Sequence, residues 1–310
     1  MTGSPHNAEA PAVEVHAAHK HYGALQAVAG VDLRIERGEI FGLIGRNGAG
    51  KSTLFKMMLG LERPTAGDVR VRGVSVRDRG FREVRRAVGY LPENVVLYDN
   101  LTGLETLRFF ARLKRAPRAE PEALLARVGL AQAGGRPVRE YSKGMRQRLG
   151  FAQALLGAPQ VLFLDEPTNG LDPQAIREFY ATLRDLRDAG ATVIITSHIL
   201  AELQERVDRL AILAAGRLLA VGSVSALREQ TDMPVVFELA VADQHAPQVS
   251  RALADLAGVT VAPAAGGLRL ACPEAQRMAV LGRLAPLGDS LQGLRIREPS
   301  LEDVFFGISD

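Results

Sequence analysis

The chain has 310 residues, 47% of them hydrophobic and 24% charged, with a formal net charge of +3. That length exceeds one typical domain and predicts a large domain followed by a smaller one, on an ordinary globular composition. Acidic and basic residues are interspersed rather than gathered into a tail, which argues against a nucleic-acid partner. The lone cysteine, Cys272, excludes an intrachain disulfide framework and fits a reducing compartment; in the apolar run LRLAC it reads as a small buried hydrophobe. The N-terminal MTGSPHNAEAPA lacks the basic region and apolar core of a secretory leader, and no apolar run reaches the ~18 residues of a spanning helix. The chain is therefore expected to be soluble and cytoplasmic, with any membrane role exercised through a partner.

Residues 1 to 12 read as a loose tail, and VEVHAAHKHYG then alternates as a strand through Val13 and Val15. Tyr22 closes it; an aromatic shortly before a phosphate loop can stack on an adenine ring, although alone such a residue is more often core. His16, His19 and His21 are scattered by the same alternation over two faces, which disfavours a metal site. The run from Glu39 to Ile44 is suited to a buried strand, and LFKMMLGL has helical spacing, with Leu54, Met57, Met58 and Leu61 on one side. Between them lies GRNGAGKST, Gly45 to Thr53. A helix N-terminus offers unpaired N–H groups and partial positive charge, and Gly45, Gly48 and Gly50 let the backbone wrap a phosphate without Cβ clashes. Lys51 can reach the outer phosphates, the Ser52 hydroxyl can ligate Mg²⁺, and Asn47, Ala49 and Thr53 complete the cradle.

The cluster Arg79, Arg82, Arg85 and Arg86, mixed with Asp78 and Glu83, reads as a solvated face. A short strand runs from Val88 to Pro92. Thr102 and Glu105 form a capping box for a helix striped by Leu104, Leu107 and Ala111, which stops at Lys114, Arg115 and Pro117. A second helix spans Pro121 to Val128, with Gly129 as its cap, and the two make a helical insertion. In YSKGMRQRLGFAQALLG, Ser142 and Gly144 stand at the start of a helix whose apolar face is Leu149, Ala152, Leu155 and Leu156. That is a second anion site or, read alone, a helix cap. The strand from Val161 to Leu164 delivers Asp165 and Glu166 at its C-terminal end, where ligand chemistry collects in parallel sheets. One carboxylate can hold Mg²⁺ and the next can activate water. Asp172 caps and Pro173 begins a long helix ending near Gly190, and ATVIITSH places His198 at another strand end. Two short strands flank Gly216. Beyond a boundary at Gln230 to Pro234, alternation predicts a small βαββαβ module with no recognisable catalytic set.

Taken in order, these motifs resemble the ATP-binding subunit of an ABC transporter over roughly residues 13 to 225. GRNGAGKST matches the Walker A loop, YSKGM the signature, VLFLDE the Walker B strand, NGLDP the D-loop, His198 the switch histidine and Tyr22 the adenine-stacking aromatic. The resemblance implies an α/β fold: a P-loop ABC ATPase with a RecA-like core, an antiparallel β subdomain and a helical subdomain over about 94–158. The implied division is a tail at 1–12, an ATP-binding domain at 13–228 and a small α+β domain at 234–310. It also implies ATP and Mg²⁺ as cofactors, with Ser52, Asp165 and Glu93 as metal ligands and Glu166, His198 and Lys51 as the catalytic set. Two copies are expected head to tail, Ser142 and Gly144 of one completing the ATP site of the other. The signature departs from the usual LSGGQ at Lys143 and Met145. Glu93 stands where a glutamine is usual, and a carboxylate there binds Mg²⁺ more strongly but repels the triphosphate.

Within that family, GYLPENVVLYDNLTGLETLRFFARLK and YSKGMRQRLGFAQALLG resemble the ATPase of the nitrous-oxide reductase maturation system, a copper-processing transporter. That likeness implies a membrane permease holding the chain on the inner face of the cell membrane, and a periplasmic copper-maturation protein beyond it. The helical insertion, with Tyr98 and Phe109, is the expected permease surface. The ending PSLEDVF is shared more widely among related exporters, so the ATPase of a drug or lipid exporter is the alternative. A nontransport ATPase acting on nucleic acid or ribosomes would carry paired halves, coiled-coil insertions or basic tails, which this sequence lacks.

Overall fold

The computed structural model describes residues 10–229 and 234–297. The chain folds as two compact units, Met1–Val224 and Ser225–Asp310. The boundary thus falls before the expected Gln230 to Pro234, of which all but Pro234 lie outside the described residues, as do the terminal PSLEDVF and the first nine residues of the tail. Among the described residues no helix is long and apolar enough to cross a membrane.

The first unit holds two sheets. β1 (Val13–Tyr22) and β2 (Leu25–Ile35) form a hairpin that turns at Gly23, whose φ of 59° favours glycine. β3 (Ile40–Ile44) leads through the glycine loop into α1 (Lys51–Met58), followed by β4 (Ala66–Val71), β5 (Val74–Ser75) and α2 (Phe81–Val84). The antiparallel sheet has the order β2-β1-β4-β5. The second sheet adds β6 (Val88–Leu91), β7 (Val161–Asp165), β8 (Thr192–Ser197), β9 (Arg209–Ala214) and β10 (Arg217–Gly222) in the order β10-β9-β3-β8-β7-β6. Every pairing in it is parallel except that of the edge strand β10 with β9. Every residue of β3, β7 and β8 is buried, the near-continuous apolar run that a parallel sheet covered on both faces requires.

α1 packs into a core shared by both sheets, in which Phe55 meets Phe163 edge to face at 5.2 Å. Burial of each ring contributes about 2–3 kcal/mol. Leu61, expected on the same stripe, is 58% exposed. The helix stops before it: Gly60, at φ 64°, donates to Met57 O, and Leu61 N donates to Lys56 O, a Schellman cap that turns the chain away from the core.

Between β6 and β7 stand α3 (Gly103–Lys114), α4 (Glu120–Arg127) and α5 (Lys143–Leu155). The capping box of α3 is complete: Thr102 Oγ1 accepts from Glu105 N at 3.2 Å, and Glu105 Oε2 accepts from Thr102 N at 2.9 Å. At the other end of α3, Lys114 Nζ donates to Val88 O at 3.0 Å and Leu156 O at 3.1 Å, tying the helices to the sheet. Burial pushes the Lys114 ammonium below its ordinary pKa, while Glu120 opposes the shift. α6 (Pro173–Asp188), capped by Asp172 Oδ1 accepting from Ala175 N at 2.8 Å, follows β7, and α7 (Leu200–Leu203) follows β8.

The second unit begins within α8 (Val224–Glu229) and continues as β11 (Val235–Val241), α9 (Ala246–Leu253), β12 (Thr260–Ala264), β13 (Gly267–Cys272), α10 (Arg277–Leu284) and β14 (Leu291–Arg297). This βαββαβ succession makes an antiparallel sheet ordered β12-β13-β11-β14, the split arrangement that the alternation predicts. Its core includes Phe237, Leu239, Leu253, Leu270 and Leu284, with Cys272 a fully buried free thiol among them.

Candidate functional site

β3, β8 and β7 are neighbours and parallel, with Ile44 level with Ser197 and Thr196 level with Asp165. Their C-terminal ends therefore deliver the glycine loop, His198 and the acid pair to one edge of the sheet, where open parallel sheets bind ligands. A cleft of about 560 Å³ opens there, a size suited to a small-molecule site. Its wall includes Tyr22, Asn47, Gly48, Ala49, Gly50, Lys51, Ser52, Thr53, Glu93, Glu166 and His198. Gly45 and Asp165 are not on the wall, and neither are Ser142 and Gly144, which lie at the start of α5.

Close packing fixes two of the loop's glycines. A Cβ on Gly45 would lie 2.4 Å from Leu213 O; Gly50 has φ 100°, and its Cβ would lie 2.4 Å from Ala27 O. Gly48, at φ 81°, faces open space. The first-turn N–H groups of α1 have no partner within the helix and point to the same place. Lys51 Nζ, buried beneath the loop, donates to Gly45 O at 2.5 Å and Arg46 O at 3.4 Å. Burial lowers its pKa, against the pull of the Glu166, Asp165 and Glu93 carboxylates. Backbone donors, an ammonium and a glycine loop with Gly48 facing open space fit the phosphates of a nucleotide. The oxygens of Ser52, Asp165 and Glu93 are the hard donors that Mg²⁺ takes.

Asp165 and Glu166 are both more than nine-tenths buried. Glu166 has φ 46°, a left-handed conformation that a non-glycine residue adopts at a cost. Its Oε2 lies 2.8 Å from His198 Nδ1, which carries the proton when the carboxylate is ionised. Burial raises the Glu166 pKa, while His198 and Lys51 pull it down and the Asp165 charge pushes it up. Tyr22 is 44% exposed, with Lys20 Nζ 4.9 Å from its ring centroid. Ser142 caps α5, its Oγ accepting from Met145 N at 3.2 Å. Gly144 sits where a Cβ would come within 3.1 Å of Gly170 O, so α5 starts hard against the loop that follows the acid pair.

Sequence reading did not mark Leu25, Gln26, Ala27, Arg46 and Ala215 of the wall, nor two residues behind the acid pair, Gln147 and Thr196. Gln147 Nε2 donates to Pro167 O at 3.0 Å from within α5. The Thr196 hydroxyl donates to Asp165 Oδ1 at 2.5 Å and accepts from Glu166 N at 3.0 Å. A hydroxyl directly after the apolar run Val193–Ile195 is the available signal for Thr196; its partner follows only from knowing which strand lies beside β8.

A mixed sheet that gathers a phosphate-binding glycine loop, an acid pair and a histidine at one edge defines a nucleotide-hydrolysing α/β class. The family model for ABC transporters matches residues 28–169. The chain is 37% identical over 308 residues to the daunorubicin resistance ATP-binding protein DrrA3 of Streptomyces coeruleorubidus, with 96% of each chain covered. It is 43% identical over 202 residues to a fluoroquinolones export ATP-binding protein of Mycobacterium tuberculosis, covering 65% of this chain and 67% of that one. A solved ATP binding subunit of an ABC transporter superposes with a TM-score of 0.66 at 35% identity, over 70% of this chain and 92% of that chain. The chain belongs to the ATP-binding subunits of ABC transporters and is an ATPase.

Proposed function

We propose that this ATPase drives a separate membrane permease that exports drug-like compounds, hydrolysing ATP in the cleft at the sheet edge. The observation that carries the hydrolytic part is the convergence of Lys51, Glu166 and His198 on one cleft. Lys51 and the loop amides neutralise charge on the outer phosphates, and the Glu166 carboxylate polarises the attacking water. His198, held to Glu166 through Nδ1, presents Nε2 to the γ-phosphate. Ser52 and Asp165 would hold Mg²⁺, with Glu93 beside them, and that ion supplies neutralisation of the phosphate oxygens. Tyr22 stacks on the base. Glu166→Gln should keep ATP binding and nearly abolish turnover; near-parental hydrolysis would remove Glu166 from this role.

Ser142 and Gly144 form an anion-binding helix start outside the cleft, which supports a head-to-tail pair in which they close the site of the second copy. Light scattering on the Glu166→Gln chain with saturating ATP and Mg²⁺ should give a dimer, and a monomer would remove the pairing. The exposed Tyr98 and Phe109, packed edge to face at 5.9 Å, offer an aromatic surface for the permease.

Drug export is favoured over copper-site maturation because the likeness to the daunorubicin resistance protein runs through both units of this chain. The copper reading rests on the helical insertion and signature stretches alone, and a periplasmic copper-maturation partner would follow only from it. Co-expression with a membrane permease that co-purifies with it should lower accumulation of a fluorescent anthracycline in whole cells. Unchanged accumulation, together with restored copper loading of nitrous-oxide reductase in a maturation-deficient host, would reverse the choice.

A further inference from the structure

We propose that Thr196 is the positioning residue of the acid pair, its hydroxyl setting the orientation of both carboxylates; this rests on the reading of the cleft as an ATP site. The cause is local register. β7 and β8 are parallel neighbours with Asp165 opposite Thr196, so the two side chains emerge side by side on one face of the sheet. Thr196 is completely buried, and no water competes for its hydroxyl. The single O–H is directed to Asp165 Oδ1 at 2.5 Å, and a lone pair accepts Glu166 N at 3.0 Å. Valine has nearly the same shape and suits a strand as well, so packing alone gives no reason for a hydroxyl among Val193, Ile194 and Ile195.

Two consequences converge on the chemistry. Fixing Oδ1 sets the plane of the Asp165 carboxylate and leaves Oδ2 for a metal, the kind of outer support that ligating carboxylates require. Holding the Glu166 N–H keeps that residue in its left-handed conformation at φ 46°, from which its carboxylate reaches His198 at 2.8 Å. One hydroxyl thus orients a metal ligand and a water-polarising base that point in different directions from adjacent positions.

The test compares Thr196→Val with Thr196→Ser, each in the Glu166→Gln background so that ATP persists, with Mn²⁺ as the probe followed by electron paramagnetic resonance. Thr196→Val should weaken Mn²⁺ binding to the ATP complex about tenfold or more, the usual effect of losing such a support, while metal-free ATP affinity stays within about twofold. Thr196→Ser, which keeps the hydroxyl, should restore Mn²⁺ affinity to within about threefold. With Glu166 intact, Thr196→Val should lower kcat and leave the KM for ATP in place. Mn²⁺ affinity unchanged by Thr196→Val, or lost equally in Thr196→Ser, overturns the proposal. Failure of the unsubstituted chain to bind ATP would instead overturn the reading of the cleft itself. Should Thr196→Val not fold, Thr196→Cys, whose thiol is only a weak donor, takes its place with the same expected direction.

Discussion

Gly50→Ala and Gly48→Ala differ by one methyl at two positions of the same loop, yet their costs should separate clearly. Both glycines have positive φ, at 100° and 81°. Moving a Cβ into that region costs about 1–2 kcal/mol, partly offset by the lower entropy of the unfolded alanine chain. At Gly48 nothing lies within 4 Å of the added atom, so the net cost is about 1 kcal/mol. At Gly50 the atom lands 2.4 Å from Ala27 O, well inside the 3.0 Å that real Cβ contacts respect. Ala27 cannot retreat freely: a Cβ on Gly216 would lie 2.8 Å from the same oxygen, and Ala29 N is bonded to Gly216 O at 2.8 Å. Overpacking of this kind adds about 1–3 kcal/mol, giving about 3 kcal/mol in all. For a unit of this size each kcal/mol shifts the melting temperature by about 2–4 °C. Scanning calorimetry, with the first unit's transition identified by its response to ATP and Mg²⁺, should show a fall of about 6–12 °C for Gly50→Ala and about 2–4 °C for Gly48→Ala. Melting temperatures within about 1 °C of each other would refute the collision with Ala27 O as the main cost at Gly50.

Two further outcomes follow from charges in the first unit. Burial holds the Glu166 carboxyl above its ordinary range and His198 opposes that shift, so His198→Ala should move the acid limb of residual hydrolysis to higher pH in a pH–rate profile. The sign carries over to stability: a carboxyl whose folded pKa is raised contributes below its unfolded pKa and loses that contribution as pH rises through the folded one. Denaturant midpoints of His198→Ala should therefore fall over a wider span above the ordinary carboxyl range than those of the parent. Lys114→Met keeps the volume but strands Val88 O and Leu156 O, which should cost about 2 kcal/mol in urea unfolding. An unchanged midpoint would mean that the desolvation cost of the buried ammonium cancels its two hydrogen bonds.

The parts legible from the sequence were those governed by short range. Glycine spacing, a strand before and a helix after place the loop of Gly45 to Thr53 without reference to the rest of the chain. The Thr102 capping box and the Asp172 cap are complete within four residues, and both form as their spacing predicts. Leu61 misled because helical periodicity carries no stop of its own, whereas Gly60 in the left-handed region supplies one. Thr196 and Gln147 were illegible for another reason. Their partners, Asp165 and Pro167, are 31 and 20 residues away, and only the strand order and the packing of α5 bring them together. The same limit applies to Ser142 and Gly144, whose spacing gives a helix start but not its distance from the cleft.

The grip of α5 on the acid loop ties the start of that helix to the acid pair. Gln147 holds the carbonyl next to Glu166, and Gly144 abuts Gly170, so the loop after the Glu166 carboxylate is clamped at two points to the first turns of a helix whose N-terminal tip is Ser142. In the head-to-tail pair proposed above, that tip touches the nucleotide of the opposite copy. Filling one pocket would then tug the carboxylate that serves the other through a continuous run of packed atoms. Each copy would report on its neighbour's fuel before consuming its own.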